Sequence, residues 1–209
     1  MKFKAVIFDL GGVILTSPFP VFSHFERQHK LPDGAILSLI KQGGDRGAWA
    51  ALERGDMDVD TFTRAFAAEA RQAGIALDAA GLLHTLGEQV RIEQAMLNTA
   101  KKIRRQNLRV GVITNNWDPG NGYFKPMQDF RHEFDLIVES WLIGVRKPHQ
   151  AIFARALEGL GCAPEEVVFL DDMVSNLHQP RAMGMTTLLV KNPADTILEL
   201  AGLLSMDLP

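Results

Sequence analysis

The sequence predicts an α/β protein: a parallel sheet sandwiched by helices, with a wholly helical segment inserted after the first strand. Three observations predict this. Short apolar runs such as Ala5-Val6-Ile7-Phe8, with no polar alternation, read as strands buried on both faces. Downstream of residue 94 such runs alternate with helical periodicity, as strands joined by helical crossovers do. Between 16 and 93 no strand pattern interrupts.

Taken in order, the first strand stops on Asp9, with Gly11 and Gly12 close behind. Open α/β sheets bind ligands beyond the carboxyl ends of their strands, which puts Asp9 where chemistry occurs; the plainer alternative is a turn- or helix-capping Asp. Thr16-Ser17-Pro18-Phe19-Pro20 then breaks the chain. Helical spacing follows for Val21, Phe22 and Phe25, for Ile36, Leu37 and Ile40, and for Phe62, Ala65, Phe66 and Glu69. Asp58 or Asp60 is placed to cap the helix carrying Phe62. A helix over Met96–Arg105 leads into the strand Leu108–Thr114, and Leu136–Val138 is a short third strand. A helix over Pro148–Leu160, with Pro148 in its first position, precedes the strand Val167–Leu170 and the pair Asp171-Asp172. Helix Asn176–Met183, strand Thr186–Val190 and helix Asp195–Leu204 complete the pattern. The expected division is a Rossmann-like core of residues 1–15 and 94–209, with 16–93 as a small helical cap.

At 209 residues the chain has room for one core and a smaller lobe. Its net charge of -3 and scattered Lys and Arg leave no footprint for nucleic acid. The one local cluster, Lys101-Lys102-Ile103-Arg104-Arg105, reads as a solvated helix face. No apolar run reaches a membrane span, and the chain enters a strand with no room for a signal peptide, so a cytoplasmic protein without membrane partner is expected. The single cysteine, Cys162, excludes an internal disulfide and sits at a helix end in a structural role. Monomer and homodimer both stay open.

Strand ends in a parallel sheet lie along one edge, so Asp9, Thr114-Asn115-Asn116 and Asp171-Asp172 converge there. Lys147 joins them from the turn Gly144-Val145-Arg146-Lys147-Pro148. Two or three carboxylates suit Mg²⁺, which keeps water and substrate oxygens as its other ligands. Lys147 offers fixed positive charge to phosphoryl oxygens, and the Thr114 hydroxyl and Asn115 N–H can donate to them. The set reads as one for handling a phosphate.

With these motifs in order, the chain resembles the haloacid dehalogenase-like hydrolases. Four segments carry the resemblance: Phe8-Asp9-Leu10-Gly11-Gly12-Val13, Ile113-Thr114-Asn115-Asn116, Lys147-Pro148, and Phe169 to Leu177 with Asp171-Asp172 and Asn176. The wording is nearest the branch that holds the soluble epoxide hydrolase phosphatase domain, the related domain of acyl-CoA dehydrogenase-like proteins and bacterial sugar-1-phosphate phosphatases. The resemblance implies that Asp9 attacks phosphorus to form an aspartyl-phosphate, while Thr114, Asn115 and Lys147 hold the transferring group. It implies Mg²⁺ on Asp9, the Gly11 carbonyl and Asp172, with Asp171 behind or through water and Asn176 orienting that loop. The implied substrate is a small phosphorylated metabolite, a sugar phosphate among the candidates.

One departure qualifies the match. Most phosphatases of this kind carry an Asp two residues after the nucleophile as general acid–base, and here Gly11 stands there. Such a group contributes about 10²–10⁴-fold in rate. Three readings follow: a phosphatase favouring good leaving groups or borrowing an acid, a low-turnover binding module, or a 2-haloacid dehalogenase. The last would leave Asp171-Asp172 without purpose. Among other polar or aromatic residues, His24, His29, His84 and His149 read as surface or helix-capping groups. Trp49 is divided between core and pocket, Trp117 packs near the mouth, and Arg146 either meets an acidic substrate group or faces solvent.

Overall fold

The computed structural model describes residues 2–118 and 130–208. Its sheet has five parallel strands, β1 Ala5–Phe8, β2 Arg109–Thr114, β3 Leu136–Glu139, β4 Val167–Asp171 and β5 Thr186–Leu189, in the order β3-β2-β1-β4-β5. β1 is central: Ala5 pairs with Arg109 on one side and Val167 on the other. Every residue of β1 is buried. Ala5 and Ile7 join the apolar cluster on one face of the sheet, Val6 and Phe8 the cluster on the other. That two-sided burial is why the run shows no polar alternation.

From β1 the chain winds outward through β2 and β3, then crosses back to lay down β4 and β5. The reversal opens a crevice at the carboxyl ends of β1, β2 and β4, the switch point where such sheets bind ligands. Helices α6 (Gln94–Arg105) and α10 (Pro193–Leu204) cover one face through Met96, Ala100, Ile103, Ile197 and Leu200. Helices α8 (Gln150–Leu160) and α9 (Val174–Ala182) cover the other through Ile152, Phe153, Leu160 and Leu177. The short α7 (Ser140–Ile143) follows β3 directly.

The insert is helical as expected: α1 Phe19–Gln28, α2 Ala35–Gly43, α3 Ala48–Glu53, α4 Val59–Gln72 and α5 Ala79–Gln89. Its apolar residues Phe22, Phe25, Phe62, Phe66 and Leu82 belong to the same cluster as one sheet face, so insert and core share buried surface. Carboxylates satisfy its free helix ends. Glu26 accepts from Gly34 N and Ile36 N at 2.8 Å each, Glu69 from Ala48 N at 2.8 Å, and Asp58 from Thr61 N at 2.7 Å. Of the two capping candidates, Asp58 is therefore the cap.

Three local readings need correction. α8 starts at Gln150, with His149 as its cap accepting from Ala151 N at 3.2 Å; Pro148 lies ahead of the helix in a cis peptide. In α2 the buried apolar positions are Ile36 and Leu39, while Leu37 and Ile40 are half-buried and face a cavity. α9 begins two residues earlier than its apolar spacing indicates, so that Asn176 lies inside the helix. The basic run of α6 is laced to neighbours, Lys101 to Glu133 at 3.0 Å and Arg104 to Asp135 at 2.9 Å, as a solvated face. Among the described residues no helix is long and apolar enough to cross a membrane.

Candidate active site

Asp9 follows β1 immediately, and its own N–H continues the ladder to Leu170 O at 2.8 Å, which fixes the carboxylate at the sheet edge. Thr114 ends β2 and Asp171 ends β4. Into this corner comes the side chain of Lys147, which is 1% exposed. Its Nζ lies 2.7 Å from Asp9 Oδ1 and 2.8 Å from Asp171 Oδ2. Asp9 Oδ1 also accepts from Leu10 N at 2.6 Å. Asp171 is fully enclosed: Met173 N donates to Oδ1 at 2.8 Å, and Asn176 Nδ2 reaches both oxygens at 3.1 and 3.2 Å. Among the described residues Asp172 has no side-chain partner of this kind; it is half-buried and lines the cavity above.

Charge is out of balance here. Asp9, Asp171 and Asp172 bring carboxylate oxygens within 4.8 Å of one another, and one ammonium faces them. Burial and the neighbouring Asp171 hold the Asp9 pKa well above the ordinary carboxylate range, although Lys147 opposes them. Burial, then Asp171, push Asp172 up to about 6. Lys147 goes the other way: burial disfavours its charge, but Asp171 and Asp9 outweigh it and raise its pKa.

Asp9, Gly11, Thr114, Asn115, Lys147, Asp172 and Asn176 line one cavity, with Asp171 beneath it; the residues singled out in the sequence come together. Gly12 has a left-handed φ of 79°, and a Cβ there would collide with the Asp172 carboxylate. Gly11 needs no such exemption: a Cβ would meet only Pro18 Cδ, at 4.0 Å. Two arrangements were not visible in the sequence. The Asn115 side chain accepts from Lys147 N at 2.7 Å and donates to Lys147 O at 3.1 Å, pinning the lysine's backbone. Glu53, at the end of α3, ties the insert to the segments that carry Ser140 and Arg146. It accepts from Arg146 Nε at 2.7 Å and Trp49 Nε1 at 3.0 Å, and its carbonyl accepts from Ser140 Oγ at 2.5 Å. Ser140 Oγ in turn accepts from Asn116 N at 3.0 Å.

Arg146 thus neither faces solvent nor waits for an acidic ligand; it is paired with Glu53, and with Asp45 at 3.5 Å. Trp49 is both core and pocket wall: it is buried, lines the cavity and meets Trp117 edge-on at 6.0 Å. His24, His29 and His84 do not line the cavity, and His29 stacks on Phe25 at 4.0 Å. Asp118 is exposed and is likewise not among the described lining residues.

A parallel sheet with an acidic cluster and a buried lysine at its switch point falls in the class of α/β proteins that bind ligands beyond the carboxyl ends of their strands. More narrowly, the chain belongs to the haloacid dehalogenase-like hydrolases, whose family model matches residues 3–177. It is 33% identical over 211 residues to mouse acyl-CoA dehydrogenase family member 10, covering 99% of this chain and 20% of that protein. It is 29% identical over 213 residues to pig bifunctional epoxide hydrolase 2, covering 96% of this chain and 38% of that protein. The chain therefore spans well under half the length of these two relatives. A Bacteroides thetaiotaomicron enzyme of the same family, solved with magnesium and inorganic phosphate, superposes with a TM-score of 0.63 at 19% identity, over 90% of this chain and 94% of that one.

Proposed function

We propose that this chain is a Mg²⁺-dependent phosphomonoester hydrolase that works through a phosphorylated Asp9, with residues 16–93 as the cap over its site. The observation that carries the proposal is the charge balance around Lys147. Three carboxylates face one ammonium in a largely buried corner, and when ionised they leave two negative charges on hard oxygen donors, a set that suits Mg²⁺. Asp9, Asp172 and the Gly11 carbonyl would hold the ion, while Asp171, its oxygens taken by Lys147, Asn176 and Met173 N, would support them from behind. When bound, the ion supplies the positive charge that lets an anionic ester approach an anionic nucleophile.

Asp9 Oδ1 accepts from Leu10 N and Lys147, which leaves Oδ2 free of donors among the described residues. Oδ2 attacks phosphorus, and the ester P–O bond breaks with its electron pair on the departing oxygen. Because position 11 has no side chain, that oxygen takes its proton from water or from the substrate itself. Lys147, the Thr114 hydroxyl and Asn115 N–H stabilise the phosphoryl oxygens. Water then attacks phosphorus, the P–Oδ2 bond breaks, and inorganic phosphate leaves with Asp9 restored. The exposed face of Asp172 would have no task in 2-haloacid dehalogenation.

Hydrolysis of p-nitrophenyl phosphate tests the proposal. Turnover should vanish in chelator, return with Mg²⁺ and fall to background in Asp9→Asn. Turnover that survives chelation or the Asp9→Asn change refutes it, and a wild-type protein that releases no phosphate is a binding module.

A further inference from the structure

The cavity above Asp9 holds about 370 Å³. Its floor is polar, but its wall is not: Phe22, Leu37, Ile40, Trp49, Leu86 and Val90, all from the insert, face the site. That wall is fixed in place. Trp49 is clasped edge-on by Phe22, Phe62 and Phe66 at 5.6–5.7 Å between ring centroids.

Among the described residues, the polar groups that share the wall are either paired or, like Trp117 Nε1 and Asn116 Oδ1, too enclosed to meet a ligand. Glu53 and Arg146 satisfy each other, and the Thr16 hydroxyl accepts from Arg91 N at 3.0 Å. Asn116 gives its amide N–H to Glu139 at 2.9 Å, and its unpartnered Oδ1 is shut off from the cavity space. Lys41 and Ser175 stand at the exposed rim. A sugar buried here would leave most of its hydroxyls without partners, each at a cost of about 1–3 kcal/mol. An alkyl or polycyclic chain would lose nothing and gain by leaving water.

The geometry points to phosphate monoesters of apolar alcohols as the substrate class, with the phosphate on Asp9 and the hydrocarbon against the insert. At about 30 Å³ per group the size of water, the cavity takes roughly a dozen non-hydrogen atoms, about five of them the phosphate's and the rest the hydrocarbon's. This inference rests on the phosphatase reading for its chemistry and replaces the sugar phosphate with a hydrophobic ester.

The test uses two parallel series on the wild-type protein with Mg²⁺, from butyl to dodecyl, below their micelle-forming concentrations. One is n-alkyl phosphates, whose leaving alcohols are equally basic, so that kcat/KM reports chain burial alone. The other is n-alkylphosphonates, which cannot be hydrolysed, with Kd measured by calorimetry. Both kcat/KM and affinity should improve about two- to fourfold per methylene until the cavity is full, then level off. Glucose 1-phosphate, despite its better leaving group, should lag behind the decyl ester. Ile40→Gln should reduce the gain for long chains more than for butyl. If phosphonate affinity is flat or falls with chain length, the inference is wrong even when every ester is hydrolysed. If the phosphonates bind with rising affinity and no ester is cleaved, the apolar site stands and the hydrolase reading falls.

Discussion

Replacing Gly11 with Asp should convert a leaving-group-dependent enzyme into an indifferent one. The loop can accept the change. Gly11 has no left-handed φ, and a Cβ would sit 4.0 Å from Pro18 Cδ, an ordinary van der Waals contact. Loss of glycine's freedom in the unfolded chain adds about 0.4–1 kcal/mol of stability. The new carboxyl would enter a cavity already lined by Asp9 and Asp172, whose like charges raise its pKa and keep it protonated, as a general acid requires. For alkyl esters the gain should reach about 10²–10⁴-fold in kcat/KM, or about 2.7–5.4 kcal/mol off the barrier. Aryl esters, whose phenolate leaves without a proton, should gain less than about tenfold. The assay is log kcat/KM against leaving-group pKa for wild type and variant. Wild type should slope steeply and Gly11→Asp shallowly, the two lines meeting at the aryl end. Parallel lines would show that protonation does not pass through position 11. Gly12→Ala is the matched control: it places a methyl against the Asp172 carboxylate from a left-handed backbone, so activity should be lost on every ester.

Other perturbations separate roles that lie side by side. Asp171→Asn removes a carboxylate held by Lys147 and Asn176, so it should cost about 3–5 kcal/mol in urea unfolding, whereas Asp172→Asn, which removes a charge that burial disfavours, should raise the midpoint at neutral pH and abolish the Mg²⁺ response. The reverse pattern would exchange their assignments. Asn115→Ala frees the Lys147 backbone and should lower kcat about ten- to a hundredfold; Asn115→Asp, which keeps the acceptor for Lys147 N, should fall between. An Asn115→Ala enzyme with wild-type kcat would show that the loop holds itself. Glu53 is held above its ordinary value of 4.5, chiefly by burial, so its ionised form is less welcome in the folded chain than in the unfolded one. Its contribution to stability therefore declines as pH rises from 4.5 through the raised value, and Glu53→Gln should flatten that limb of the stability curve. A variant curve of unchanged slope would mean that Arg146 fully restores the glutamate's acidity.

What the sequence disclosed and what it withheld divide on range. β1 and β4 were legible because two-sided burial removes polar residues from them, and Asp9 and Asp171 because they end those runs. Lys147 was legible as a cation, next to Arg146 and just ahead of Pro148, in a short turn between elements. The helical insert was legible in the spacing of Phe22, Phe25, Phe62 and Phe66. Side-chain partnerships across long stretches of chain left no local mark. Asn115 reads as a donor of its own N–H, and nothing near it reveals that its amide holds the backbone of Lys147. Glu53 and Arg146 each look like ordinary surface charges until the fold brings them together. The start of α8 was misplaced for a different reason: Pro148 suits a first helical turn, but His149 supplies the cap, and the helix begins after it.

The position of β1 also governs the order in which the protein can be made. It leads the strands, yet its hydrogen-bonding partners Arg109 and Val167 come far later in the chain. A growing polypeptide therefore carries four apolar residues with both edges unpaired until β2 is made and one edge unpaired until β4 follows, a segment open to misassociation. The insert is completed next, and its aromatic residues share a cluster with Val6 and Phe8, so it can shelter one face of the waiting strand. Pairing over such separations is slow. Asp9 gains Lys147 only once the turn after α7 has been made, and Asp171 only once β4 has. The acidic corner is thus assembled late, and a nascent chain halted before β4 would lack Asp171 and Asp172 altogether.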